Sequence, residues 1–142
     1  MIVLDTNVVS ELMRPAPAPG VARWVDTFAA EDVFVTAVTA AELLYGVARL
    51  PQGRRKQELY IKVDGLLAED FRDQVLPFDG PAAAHYAEIC VARERAGRPI
   101  SMADAQTAAI CRAWTVDLAT RNVDDFTNTG VNVVNPWDTG KR

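Results

Sequence analysis

The chain is short of most of the residues that would mark a secreted, membrane or nucleic-acid-coating protein. It has two cysteines, Cys90 and Cys111, in 142 residues. They form no CxxC pair and have no second Cys or His nearby in sequence, so a zinc or redox motif is absent. Both sit inside apolar helical patterns and read as small buried hydrophobes in a reducing compartment. A single histidine, His85, excludes any mechanism that needs two histidines as acid and base. No apolar run approaches the roughly 20 residues that span a bilayer. The opening MIVLDTNVV lacks a basic n-region and meets Asp5, unlike a signal peptide. Positive charge is also scarce: 15 Lys+Arg stand against 19 Asp+Glu, a net charge of −4. That balance argues against non-specific coating of nucleic acid, which needs many phosphate contacts, while leaving room for a local basic strip. A soluble, cytoplasmic protein is expected.

With 49% hydrophobic and 24% charged residues, the composition is that of a globular chain. Its length suits one domain, 1–142, with no internal repeat and no linker long enough to divide it. Met1–Leu4 reads as a strand buried on both faces, and a helix is expected over Asn7–Met13. The PAPAPG stretch Pro15–Gly20 reads as a stiff, non-helical connector. Helical periodicity returns over Val21–Phe28, and Val33–Val38 reads as a strand. Thr39 is expected to open a helix to about Arg49, and Arg54–Phe71 reads as an amphipathic helix. Val75–Phe78 is a third strand by β-propensity. Helices Pro81–Ala96 and Met102–Trp114 follow, then short strands at Val116–Ala119 and Val131–Val134. Strands alternating with helices predict an α/β fold with a parallel sheet. In such folds the ligand site lies beyond the carboxyl ends of the strands, where strand order reverses.

The side chains expected there are acids. Asp5 follows the first strand, Glu42 lies early in the helix after the second, and Asp104 opens the helix before the fourth. Asn122, Asp124 and Asp125 follow the fourth strand. Carboxylates gathered in one cleft repel unless a cation joins them, and an all-oxygen set suits Mg²⁺ or Mn²⁺ rather than zinc. A plainer reading stands beside this one. Thr39-Ala-Ala-Glu42 and Ser101-Met-Ala-Asp104 both match the capping box, and acids in a first helical turn are favoured by the helix dipole. Asp5 could cap the first helix, and Asp124/Asp125 could form a solvated turn. Spacing does not choose between these readings.

The segments MIVLDTNVVSEL, TAAELLYGVARL, ISMADAQTAAI and LATRNVDDFTNTGVNVVNPW, in this order, resemble the PIN domain and more narrowly the FitB-like branch of the VapC toxins. The resemblance implies a PIN-like three-layer fold, with a central five-stranded parallel β-sheet flanked by helices. It also implies a metal-dependent endoribonuclease of a toxin–antitoxin pair, using Mg²⁺ or Mn²⁺ to activate a water against RNA phosphodiesters. The implied partners are a cognate small antitoxin that occludes the site, the RNA substrate, and a second copy in a homodimer that assembles further with antitoxin. By position, Asp5, Glu42 and Asp104 match the family's acidic triad, as catalytic residues and metal ligands. The family's usual fourth acid falls at Asn122, which is neutral, with Asp125 a nearby substitute for a second metal. Thr6 and Asn7 are candidates to orient the ligands.

Substrate would need cations around this acidic pit. Arg49, Arg54, Arg55 and Lys56 cluster at one helix junction, Arg93, Arg95 and Arg98 form a second group, and Arg121 lies beside the expected site. Each is a solvated surface charge or part of an RNA phosphate track, Arg93 alternatively pairing with Glu88 or Glu94. His85, Tyr86 and the three tryptophans read as packing residues. Val9, Leu12, Met13, Trp24 and Phe28 on the early helices exceed what a minimal core needs, and any that face outward would suit a partner's helix. Two rival functions remain: a PIN-like binding module with weakened catalysis, which Asn122 favours, and a phosphatase with Asp5 as nucleophile, which Asn7 disfavours by replacing its second acid.

Overall fold

In the computed structural model, residues 1–139 are described; residues 140–142, the end of the expected domain, lie outside them. The strands are β1 (Ile2–Leu4), β2 (Val33–Thr36), β3 (Val75–Leu76), β4 (Asp117–Ala119) and β5 (Val133–Val134). They form one five-stranded sheet in the order β3-β2-β1-β4-β5, with every pairing parallel. The helices are α1 (Thr6–Leu12), α2 (Pro19–Asp26), α3 (Ala37–Ala48), α4 (Arg54–Gly65), α5 (Gly80–Arg95) and α6 (Met102–Trp114).

Strand periodicity divides the apolar residues between two cores, one on each face of the sheet. Ile2 and Leu4 enter one core with Val33, Val35 and Ala119, covered by Val8, Val9, Val21, Leu43, Val47 and Val63 from α1 to α4. Val3 and Leu118 point the other way, onto Ile89 of α5 and Ala108, Ala109 and Ile110 of α6. The result is the expected three layers. Strand order runs outward from β1 through β2 to β3 on one side and through β4 to β5 on the other. The reversal therefore falls between β1 and β4, and Asp5 is the first residue beyond the carboxyl end of β1.

Several local expectations need correction. Helix α3 begins at Ala37, not Thr39; its cap is Thr36, whose hydroxyl accepts the Thr39 N–H. Thr39 is thus an interior residue, buried in the helix, and Glu42 stands outside the first turn with no capping role. The Pro-rich connector ends sooner than expected, because Pro19 opens α2, where its missing N–H costs nothing. Helix α4 stops at Gly65 and the chain continues as one wider turn, Leu66–Asp70, before Phe71. Strands β2 and β3 are shorter than the apolar runs that announced them, since Ala37 and Val38 belong to α3. Val9 is buried, and Leu12, Met13, Trp24 and Phe28 pack half-buried on the first core instead of facing outward. The surplus apolar surface lies elsewhere, at Leu44 and Tyr45 on α3 and Tyr60 and Ile61 on α4.

The connector between α1 and α2 is pinned by Glu11. Its buried carboxylate accepts from Arg14 Nη1 at 3.2 Å and from the Ala18 N–H at 3.1 Å. Glu11→Ala strands that N–H, so denaturant unfolding should show a loss of about 1–3 kcal/mol. An unchanged midpoint would show that the proline-rich connector holds itself.

Candidate active site

Asp5 is 7% exposed, and its backbone N–H bonds to Ala119 O at 2.9 Å across the β1–β4 pairing. Both oxygens of its carboxylate accept from neutral donors, Oδ1 once and Oδ2 twice. Oδ1 accepts the Thr6 N–H at 2.9 Å, which makes Asp5 the cap of α1. Oδ2 accepts from Thr120 Oγ1 at 2.8 Å and from Asn7 Nδ2 at 3.4 Å. Burial raises the Asp5 pKa; the Thr120 and Thr6 hydrogen bonds oppose the rise, the charge of Glu42 adds to it, and Asn7 opposes it.

Thr120 escaped the sequence reading although the segment that carries it, LATRN, was in view. It is fully buried at the end of β4, and its hydroxyl uses its whole capacity: one donation to Asp5 and acceptance from Asn7 Nδ2 at 3.0 Å and the Asn122 N–H at 3.1 Å. Asn7 also accepts the Arg121 N–H at 3.0 Å, so it ties α1 to the loop after β4. On the other side, Thr6 Oγ1 donates to Glu42 Oε1 at 2.8 Å and lies 3.1 Å from Thr39 Oγ1. One hydroxyl proton serves one acceptor, so Thr39 supplies the proton between the two threonines. Thr39 was likewise missed, being read as a cap.

Asp104 follows the cap Ser101, whose Oγ accepts the Asp104 N–H at 3.2 Å, as the capping pattern expected. Its pKa is nonetheless raised, first by burial, against a Ser101 hydrogen bond, then by the charges of Asp5 and Asp125, with Arg93 pulling it back. Asp125 thus acts on this cleft, whereas Asn122 is exposed and engages it through its N–H. Asn122, Asp124, Asp125 and Arg121 line a recess of about 530 Å³ with Asn135 and Asp138. The ion pairs among the described residues, Arg14–Glu11, Arg54–Glu58 and Arg112–Glu88, leave Asp5, Glu42 and Asp104 without a cationic partner.

The expected cation clusters come apart. Arg54 pairs with Glu58 on the surface and Lys56 Nζ donates to Ala48 O. Arg49 lies 6.0 Å from the Tyr45 ring centre and, with Arg55, lines a groove of about 710 Å³ that opens on Thr6 and Glu42. Lys62, which the sequence reading passed over, lines the same groove above an apolar floor of Leu43, Leu59 and Val63. Arg121 stacks on Trp137 at 4.9 Å. Arg93 is no surface charge and pairs with neither Glu88 nor Glu94; it is 4% exposed and donates only to main-chain carbonyls. Cys111 is fully buried, with its thiol pKa raised by burial, as its packing role requires.

A parallel sheet in this order, with a hydrogen-bonded acid at its reversal point, can be set against known proteins. Residues 2–132 match the PIN domain family model. The chain belongs to the PIN-domain family. It is 41% identical to Toxin FitB of Neisseria gonorrhoeae over 96% of this chain and 99% of that protein. It is 36% identical to the VapC ribonuclease Y4jK of Sinorhizobium fredii, over 97% and 99% of the two chains. The crystal structure of FitAcB from Neisseria gonorrhoeae superposes with a TM-score of 0.89 at 41% identity, covering 96% of this chain and 99% of that one. A FitAB complex bound to the IR36 DNA fragment superposes equally well, at 40% identity over 96% of each chain.

Because the folded PIN domain raises the Asp104 pKa, ionising this acid costs stability as pH climbs through the carboxylate range. In chelator-treated buffer, Asp104→Asn should therefore melt higher than the wild type at pH 7, with the gap closing toward pH 3, where both are uncharged. A melting curve at each pH checks this; an equal offset at both ends would show that packing, not charge, separates the proteins.

Proposed function

We propose that this chain, as one PIN domain over residues 1–142, is an endoribonuclease toxin that hydrolyses RNA phosphodiester bonds with Mg²⁺ or Mn²⁺ and is held in check by a small antitoxin. The observation that supports it is the gathering of Asp5, Glu42 and Asp104 at the reversal point of the sheet, none of them in an ion pair among the described residues. The pKa values of Asp5 and Asp104 are raised first by burial and then by neighbouring carboxylates, and a bound dication would relieve both. The donors are all oxygen, as Mg²⁺ and Mn²⁺ prefer. No group of three or more His, Cys, Asp or Glu among the described residues closes into a cage. An ion here would therefore need waters and substrate phosphate to complete its shell. Asp5 and Asp104 are assigned as its principal holders with Glu42, and Asp125 rather than Asn122 reinforces the charge.

Such an ion, when bound, would stabilise the developing charge on the phosphate and acidify an attacking water. The protein supplies the rest. Glu42 is exposed and oriented through Oε1 by Thr6, and accepts the water's proton. Thr120 and Asn7 hold Asp5 still. Arg49, Arg55 and Lys62 draw an RNA strand along the groove, its phosphates on the cations and an unstacked base on the apolar floor. Arg121, held on Trp137, receives the strand at the opposite rim. The similar proteins include Toxin FitB, and the similar structures include FitAcB and FitAB. The exposed Leu44, Tyr45, Tyr60 and Ile61 offer this chain's surface for an antitoxin or a second copy.

One residue favours a second reading. Asn122 lacks the charge of an acid, so a module that binds RNA without efficient cleavage is the alternative. Two experiments decide. Purified free of antitoxin, the protein should cut structured RNA with Mg²⁺ or Mn²⁺ and stop in excess chelator; binding without cleavage at any concentration of either metal would favour the alternative. Glu42→Gln should reduce cleavage by at least about a hundredfold, as loss of a proton acceptor does. Its melting temperature in metal-free buffer should not fall below that of the wild type, since Glu42 caps nothing and its charge repels that of Asp5.

A further inference from the structure

Arg93 is a buried guanidinium that no carboxylate neutralises among the described residues, a costly arrangement unless its donors are matched. They are matched by main-chain carbonyls on two separate segments. Nε donates to Arg98 O at 2.6 Å, while Nη1 donates to Asp125 O at 2.7 Å and Thr127 O at 3.0 Å. The first segment closes α5: the Arg98 N–H returns to Arg93 O at 2.9 Å and Gly97, at φ +71°, turns the chain toward Ser101 and Asp104. The second is the segment that runs from Asn122 to Thr127. A cheaper staple for one loop would be a neutral amide; spanning two loops from one side chain needs the planar fork that arginine has and lysine lacks.

We propose that Arg93 is a positioning residue: its fork locks the Asp104 segment and the Asp125 loop in fixed relation, so that these two carboxylates meet the cleft together. The inference rests on the nuclease reading for its consequence in catalysis, but the locking itself is read without activity.

The experiment compares wild type, Arg93→Lys, Arg93→Met and, as a control for plain destabilisation, Val63→Ala in the core on the opposite face of the sheet. Amide hydrogen exchange should speed up over residues 98–104 and 122–127 in both Arg93 variants, while β1 and α1 keep wild-type protection. Val63→Ala should leave those two segments as protected as in the wild type relative to the rest of the chain. Mn²⁺ titration followed by electron paramagnetic resonance should show weaker binding in both Arg93 variants and not in Val63→Ala. In RNA cleavage, the Arg93 variants should lose roughly a hundredfold in kcat with KM little changed, as small misplacements of reacting groups do. Uniformly faster exchange across the whole chain, or Arg93→Lys with wild-type exchange in both segments, overturns the proposal. Exchange that speeds up only in those two segments of the Arg93 variants, beside a wild type that binds Mn²⁺ but cuts no RNA, would uphold the locking and defeat the nuclease reading instead.

Discussion

The structure depends on keeping one carboxylate, Asp5, out of water at the centre of the sheet. An ion in that position costs several kcal/mol unless donors replace its hydration. Here the replacements come from three places: the first N–H of α1, the side chain of that helix's second residue, and the threonine that follows β4. The last requires β4 to lie beside β1, in a register that sets Leu4 against Ala119. Moving that pairing by one residue would send Thr120 to the other face of the sheet and leave Asp5 without its strongest neutral donor. The sheet order and the site are thus one constraint.

The two cores serve that constraint differently. On the α1–α4 face, Val8, Val9, Leu43 and Val47 fix the helices that carry Thr6, Thr39 and Glu42. On the α5–α6 face, Ala105, Ala108 and Ala109 are fully buried, and such small side chains let α6 lie close to its neighbours. That closeness brings Asp104 near enough for Asp5 to act on its ionisation. Asp104 also sits at the positive end of α6, which favours its charge, though only by about 0.3–1 kcal/mol. Burial, joined by repulsion, outweighs that gain, since its pKa still rises.

What could be read in the sequence follows from the range of the forces involved. The α/β layering, both apolar faces and the acids at strand ends were legible because hydrophobic periodicity is local. Helix α6 was placed to the residue, from Ser101 onward, because cap and period agree there. The start of α3 was not, because two threonines compete as caps and only tertiary burial of Thr39 decides for Thr36. Arg93 and Thr120 were illegible for a related reason. Their partners lie across the fold, and one arginine in a basic run looks like any other until its neighbours are in place. The cation clusters failed likewise: adjacency in sequence put Arg54, Arg55 and Lys56 together, while helical geometry turns only Arg55 to the groove.

The choice of partners around the acids carries the last step of the argument. A chain with 15 Lys+Arg has cations enough to pair every acid in the cleft. Instead, Asp5 is held by hydroxyl and amide donors, Glu42 by a threonine, and Arg93 spends its donors on carbonyls. Neutral donors fix geometry without cancelling charge, and carbonyls solvate a guanidinium without removing a carboxylate. An Arg–carboxylate pair would have done both jobs at once, leaving a stable and electrostatically silent cleft. The cleft keeps its negative charge while the cations line the groove and rim outside it. A fold selected for stability alone would have neutralised these acids; keeping the two signs apart is the arrangement that the proposed dication beside a polyanion would need.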